Sequence, residues 1–207
     1  MVQNTSHAVM MQRASPKKGA DFFPTPPWAT RALCERIYSA KEMGVWDCAA
    51  GAGHMMRPLR EYFGGTCGSD LHDYGDPFIV TPIDFLEVPY RDIDWIITNP
   101  PFNLAEAFAR HALRIARRGV AVLVRSTFLE TVGRHQRLFE PFPPSTIYQF
   151  TERVPMTQGR LDRKASTATA YCWIVWDRHV RDRIGEPTEF EWIPPCRARL
   201  ERDEDYE

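Results

Sequence analysis

The chain has 207 residues, with 26 Lys and Arg against 27 Asp and Glu, a net charge of −1, and 43% hydrophobic residues. That length suits one domain built on a single sizeable core, and no run of 18 apolar residues offers a membrane-spanning helix. Five cysteines, at positions 34, 48, 67, 172 and 196, show no Cys-x-x-Cys pairing; they read as free thiols in a reducing cytoplasm, with neither a zinc site nor a disulfide framework.

Residues 1–19 are polar and punctuated by Ser, Lys and Gly, so they read as an N-terminal arm, mobile or ordered on binding, without the apolar core of a signal peptide. A helix is predicted over 28–40, with Pro27 near its start. Val45-Trp46 then reads as the end of a buried strand, followed by the small-residue loop Asp47-Cys48-Ala49-Ala50-Gly51-Ala52-Gly53 and a helix over 54–62. Glycines at 51 and 53 let the backbone pass close to a ligand with no Cβ in the way. Met56 stands where the third glycine of a dinucleotide fingerprint would fall, which disfavours a nicotinamide or flavin dehydrogenase. His54 follows the loop and could touch a ligand, or could be a partly exposed first-turn histidine.

The next strand is predicted over 66–69. It delivers Asp70 at its end, about 20 residues after the glycine loop, the spacing of an acid that binds ribose hydroxyls. Ile79-Val80 reads as a short strand, and 95–97 as a buried one running into Asn99-Pro100-Pro101-Phe102. This tetrapeptide suits methylation of a planar exocyclic amine, whose lone pair is delocalised into its ring. The Asn99 side-chain oxygen and the Pro100 carbonyl could accept the amine's two N–H groups and turn the lone pair toward an incoming methyl group. The prolines bring no competing N–H and stiffen the turn, and Phe102 offers a face for stacking a base. The plainer reading is a Pro-Pro turn that closes a strand.

Beyond it, helices are predicted over 104–117 and 132–139, the latter stopped by Pro141-Phe142-Pro143-Pro144, and strands over 120–124, 147–150 and 170–176. Strands alternating with helices imply a doubly wound, mostly parallel α/β sheet with ligands at the carboxyl ends of the strands; Asp47, Asp70 and Asn99 all fall at such ends. Residues 152–169, basic and Gly-containing, read as a substrate-facing loop or a plain hairpin excursion. Positive charge gathers in patches: Arg13, Lys17 and Lys18 without an acid, five arginines over 117–137 against Glu130, and Arg153, Arg160, Arg163 and Lys164 against Glu152 and Asp162. These could form a basic face near the site or an ordinary solvated surface. Residues 179–207 read as a polar, acidic tail.

These residues resemble the S-adenosylmethionine-dependent N6-adenine DNA methyltransferases, most of all the small phage-type enzymes, over about residues 20–178. The resemblance implies a seven-stranded, Rossmann-like class I methyltransferase domain over 20–178, with the strand at 170–176 antiparallel. Residues 21–27 resemble the segment that contacts the methionine end of the cofactor, which implicates Phe23, Thr25 and Pro26. Asp47, Cys48, Ala49, Gly51 and Gly53 resemble the cofactor loop, with Cys48 where Pro is common. Asp70 and Leu71 resemble the ribose-binding acid and its adenine-packing neighbour, and Asp84 with Phe85 the pair at the cofactor adenine. Asn99, Pro100, Pro101 and Phe102 resemble the catalytic motif, while 125–130 and 171–178 look like later segments of the phage-type enzymes. No metal is implied.

For Asp84 the alternative is a helix N-cap, and for Asp47 a tie to the glycine loop's N–H groups. Asn at position 99 is shared with enzymes that methylate RNA bases or a protein glutamine amide, so an RNA or protein amino-methyltransferase is the second reading and a non-catalytic binding subunit the third. The expected substrate is adenine in DNA, flipped out or unpaired. Little of the chain is left over for target recognition, so recognition is short and relaxed or a protein partner supplies it.

Overall fold

A computed structural model describes residues 22–39, 41–89, 92–181 and 187–206; the arm 1–19 lies outside them. The first helix, α1 (Pro27–Cys34), opens with Pro at its first position, where a missing N–H costs nothing, and ends well before residue 40. The Leu33 carbonyl accepts from both Arg36 and Ile37 N–H at 2.8 and 3.1 Å, and this tight turn sends the chain back toward the sheet.

All but the last of the strands follow the expected apolar runs. They are β1 (Gly44–Asp47), β2 (Gly65–Ser69), β3 (Ile79–Val80), β4 (Ile93–Thr98), β5 (Ala116–Arg125), β6 (Thr146–Phe150), β7 (Tyr171–Asp177) and β8 (Glu189–Ile193). They form one sheet in the order β3-β2-β1-β4-β5-β7-β6-β8. Strands β3 to β5 are mutually parallel, β7 is antiparallel to both neighbours, and β8 runs parallel to β6. The eighth strand exceeds the expected seven. It comes from the segment read as a polar tail, where Glu189-Phe190-Glu191-Trp192 alternates but stays exposed along the sheet edge.

Successive side chains point to opposite faces of a strand, so the sheet divides the core in two. On one face Val45, Trp95, Ile97, Leu123 and Trp173 pack against α1 and α2 (Met56–Tyr62), together with Trp28, Leu33 and Leu59. On the other, Trp46, Ile96, Val122 and Trp176 pack with Phe108 and Ala112 of α3 (Ala105–Ile115). Helix α3 passes straight into β5 at Ala116, four residues before the apolar run, and within that extension Gly119 passes under Trp95, where a Cβ would lie 2.5 Å from the indole. Helix α4 (Val132–Arg134) continues through a wider turn to Phe139, matching the helix expected over 132–139.

Residues 194–206, including α5 (Arg197–Leu200), are docked onto the domain. The buried Arg31 guanidinium donates to both Asp205 carboxylate oxygens at 2.8 Å, to the Leu200 carbonyl at 2.8 Å and to Glu61. Arg163 pairs with Asp203 at 2.7 Å, and Glu152 accepts from the Cys196 and Arg197 N–H groups, so the same segment braces the 152–169 loop. Asp203 and Asp205 of this stretch therefore serve as partners for arginines far away in sequence.

Candidate active site

The strand order reverses between β1 and β4, and the crevice at the carboxyl ends beside this switch point is where open α/β sheets bind ligands. A cavity of about 840 Å³ opens there. It is lined by Phe23, Thr25, Asp47, Cys48, Ala49, Gly51, Asp70, Leu71, Asp84, Phe85, Asn99, Pro100, Pro101 and Phe102. Of the residues singled out in the sequence, Pro26 and Gly53 do not line it. Pro26 is buried at the N-cap of α1, and Gly53 backs onto Asp76 and Ile79, where a Cβ would lie 2.5 Å from the Asp76 carboxylate.

The glycine loop takes its shape from two left-handed residues, Gly51 at φ 53° and Gly53 at φ 78°, which side chains other than glycine adopt at a cost. A Cβ on Gly51 would meet the Phe22 ring at 2.5 Å. Phe22 stacks on Tyr74, with centroids 4.4 Å apart, and both line the cavity. Phe22 belongs to the 21–27 segment that the resemblance sets against the methionine end of the cofactor, though it is not among the residues singled out there, and Tyr74 carries no role in the sequence reading. Phe22 had the signal of its place beside Phe23, whereas Tyr74, four residues past Asp70, had none.

Asp70 follows β2 and draws the loop in: its carboxylate accepts from Gly51 N–H and His72 N–H, both at 2.9 Å. Each oxygen keeps a lone pair for a further donor such as a sugar hydroxyl. Asp47 at the end of β1 is fully buried. One oxygen accepts from Ala49 N–H at 3.3 Å, and the other, Oδ2, is without a partner among the described residues. Burial pushes its carboxyl up to about 7. Asp47 thus holds the loop from below. Burial also raises the Cys48 thiol, which stays neutral and unreactive. Asp84 is exposed and caps the turn Phe85–Glu87 by accepting from Leu86 N–H at 3.0 Å, so the N-cap geometry and a place on the cavity wall coexist. Phe85 packs edge-on against Trp46 at 5.2 Å and forms the floor, while Leu71 is exposed at the rim. Burial and the nearby Arg57 charge pull the His54 imidazole below its usual value, and His54 also faces the cavity.

Asn99 follows β4, and its amide is held in one orientation. Nδ2 donates to the Phe23 carbonyl at 2.9 Å and to the Thr25 hydroxyl at 3.1 Å, with the Met156 sulfur 3.8 Å away. Oδ1 is buried and has no partner among the described residues. A buried acceptor left unpaired costs about 1–3 kcal/mol, which a ligand N–H would recover. The segment ahead of α1 therefore sets the direction of the Asn99 carbonyl. Phe23 also meets Phe102 at 5.1 Å, tilted by 40°, and the Arg125 guanidinium lies over the Phe102 ring 4.2 Å from its centroid. From the 152–169 loop, Met156 reaches Asn99, Gln158 lines the cavity, and Gly159 N–H donates to the Phe22 carbonyl at 2.9 Å.

A 3-2-1-4-5-7-6 sheet with β7 antiparallel, a glycine loop after β1 and an acid after β2 make this the class I methyltransferase fold. The solved structures similar to it agree. A modification subunit attributed to a type I restriction enzyme from Vibrio vulnificus YJ016 is 19% identical with a TM-score of 0.57, over 87% of this chain and 49% of that one. The 23S rRNA methyltransferase ErmE is 14% identical with a TM-score of 0.53, over 80% and 71% of the two chains. A protein described as an RNA methyltransferase from Pyrococcus horikoshii is 15% identical with a TM-score of 0.52, over 72% and 80%. The chain spans about half the length of the Vibrio subunit. No family model and no curated protein matches the chain. S-adenosylmethionine is the cofactor expected of this fold. The residues present suit it: an acid with spare lone pairs after β2, a glycine loop whose Gly51 lines the cavity, and a cavity within the size range of small-molecule sites.

Proposed function

We propose that the chain transfers a methyl group from S-adenosylmethionine to the exocyclic N6 amine of adenine in DNA. The observation that carries this reading is the Asn99 amide, whose two donors are spent on Phe23 and Thr25 while its buried oxygen is left over. Such an oxygen is an acceptor in search of an N–H donor, and an exocyclic amine brings two. In this reading Asn99 Oδ1 and the Pro100 carbonyl take both N–H groups and leave the nitrogen lone pair directed at the methyl group. The bound cofactor would supply a methyl carbon already made electrophilic by its sulfonium. Asp70 would hold the ribose diol, Gly51 would let the backbone lie against the cofactor, and Asp84 would accept from its adenine amine. Phe102 would stack the target ring, and the surplus proton would leave to water, so no general base is assigned. The cavity walls align the reacting atoms and exclude water, which is the main task left to the protein.

Because the amine is inaccessible within a duplex, the base is flipped out or unpaired when it reacts. In this reading sequence recognition is short and relaxed, built from the 152–169 loop and the arms, or is supplied by a partner protein. The test is transfer of labelled methyl groups to unmethylated DNA, to RNA and to a glutamine-containing release-factor peptide. Incorporation at adenine N6 in DNA is the expected result; incorporation confined to RNA or to the peptide would overturn the assignment of DNA.

A further inference from the structure

The Phe102 ring, to which the proposed function gives the target base, has a guanidinium over one face. Arg125, the last residue of β5, sits with its Cζ 4.2 Å from the ring centroid. Phe23 and Arg125 are the neighbours described against this ring, and a base that stacks on the face under the guanidinium takes the place of Arg125. Phe23 is tied in: its carbonyl accepts from Asn99 Nδ2, and its ring packs against Phe102 and the cavity wall. Arg125 is exposed and pairs with Tyr171 through the β5–β7 ladder, but its side chain makes neither a hydrogen bond nor an ion pair among the described residues and does not line the cavity. Of these two described neighbours, Arg125 is held less tightly. Stacking of a base on an aromatic ring is worth more than an exposed cation–π contact, so the exchange is favourable once a base arrives.

We propose that Arg125 holds the face of Phe102 until the target base takes it, and that its guanidinium then moves to a backbone phosphate flanking that base. A displaced planar cation beside an extruded nucleotide has one strong partner at hand, since guanidinium and phosphate pair through two parallel hydrogen bonds. This deepens the function proposed above, on which it rests, by making the substrate a polyanion: a glutamine amide in a protein would bring no phosphate to receive Arg125. The basic residues of the 152–169 loop, which reaches the cavity through Met156 and Gln158, lie on a segment that the same strand would meet.

The test compares the full-length protein with Arg125→Ala and Arg125→Lys. Affinity for a short fluorescein-labelled, adenine-containing DNA strand is read by anisotropy at two salt concentrations, and cofactor affinity is read by calorimetry as a check on folding. One lost phosphate contact lowers the slope of log affinity against log salt by about one, so between about 50 and 200 mM salt the weakening of Arg125→Ala should be about threefold smaller than that of the wild type. Arg125→Lys, which keeps the charge, should retain the wild-type salt response, and all three proteins should bind cofactor equally. A wild-type salt response in Arg125→Ala would overturn the phosphate contact while leaving the methyltransferase reading intact. If the wild-type protein itself methylates only the peptide, the reading of the substrate falls, and the inference with it.

Discussion

Replacing Asn99 by Ala separates a chemical role from a structural one, because the two make opposite demands on the same side chain. The substitution removes two N–H donors, to the Phe23 carbonyl and the Thr25 hydroxyl, each worth about 0.5–1.5 kcal/mol net. It also removes a buried oxygen with no partner, relieving a penalty of about 1–3 kcal/mol. These terms offset one another, so stability should change by no more than about 1 kcal/mol, a shift of about 2–4 °C in Tm for a chain of this size. Activity has no such offset. An acceptor that orients the amine in the transition state is worth a loss of about 10²–10³ in kcat when removed, by analogy with the loss of one oxyanion-hole donor. Methyl transfer to DNA, measured with labelled cofactor beside a thermal scan and a calorimetric cofactor isotherm, should therefore collapse while folding and cofactor binding persist. Retention of wild-type transfer by Asn99→Ala would refute the assigned chemistry. A large drop in Tm would show instead that the Asn99 amide is mainly a structural tie.

Asp70→Ala should weaken cofactor binding by about tenfold or more in calorimetry, since it deletes a carboxylate that also holds the Gly51 and His72 N–H groups; an unchanged affinity would remove Asp70 from the ribose. Asp47 carries a pH signature. Its folded value of about 7 lies above the unfolded carboxylate range, so the folded state holds the extra proton and stability falls as pH rises from about 4 to 7. Asp47→Asn should consequently gain stability relative to wild type by about 2 kcal/mol between pH 5 and pH 8 in urea titrations, and an equal difference at both pH values would show that the carboxyl is not so perturbed. Asp205→Ala leaves the buried Arg31 with only Glu61 and the Leu200 carbonyl, and should cost about 3 kcal/mol, or about 6–12 °C in Tm. A cost below 1 kcal/mol would mean that water reaches the guanidinium once the carboxylate is gone.

The sequence by itself determined seven of the eight described strands, the parallel alternation and most of the candidate cavity. Each of these rests on signals within a few residues: apolar runs, paired glycines, and polar groups at strand ends such as Asp47, Asp70 and Asn99. Local patterns could not set the length of α1, because the turn at Leu33 ends a helix whose composition would continue. They also did not mark β8, although its alternation of Glu and aromatic residues carries a period-2 signal, because its burial pattern is that of an exposed edge.

Only the tertiary structure decided what the polar groups do. Arg31 and Asp205 stand 174 residues apart, and nothing near either one announces a buried pair. Asn99 is 76 residues from Phe23 and 74 from Thr25, so the fixing of its amide, and with it the spare oxygen on which the chemistry depends, is a product of chain return. Hydrophobic burial is encoded residue by residue, whereas a hydrogen bond needs two particular atoms within about 3 Å, and only the folded chain brings them there.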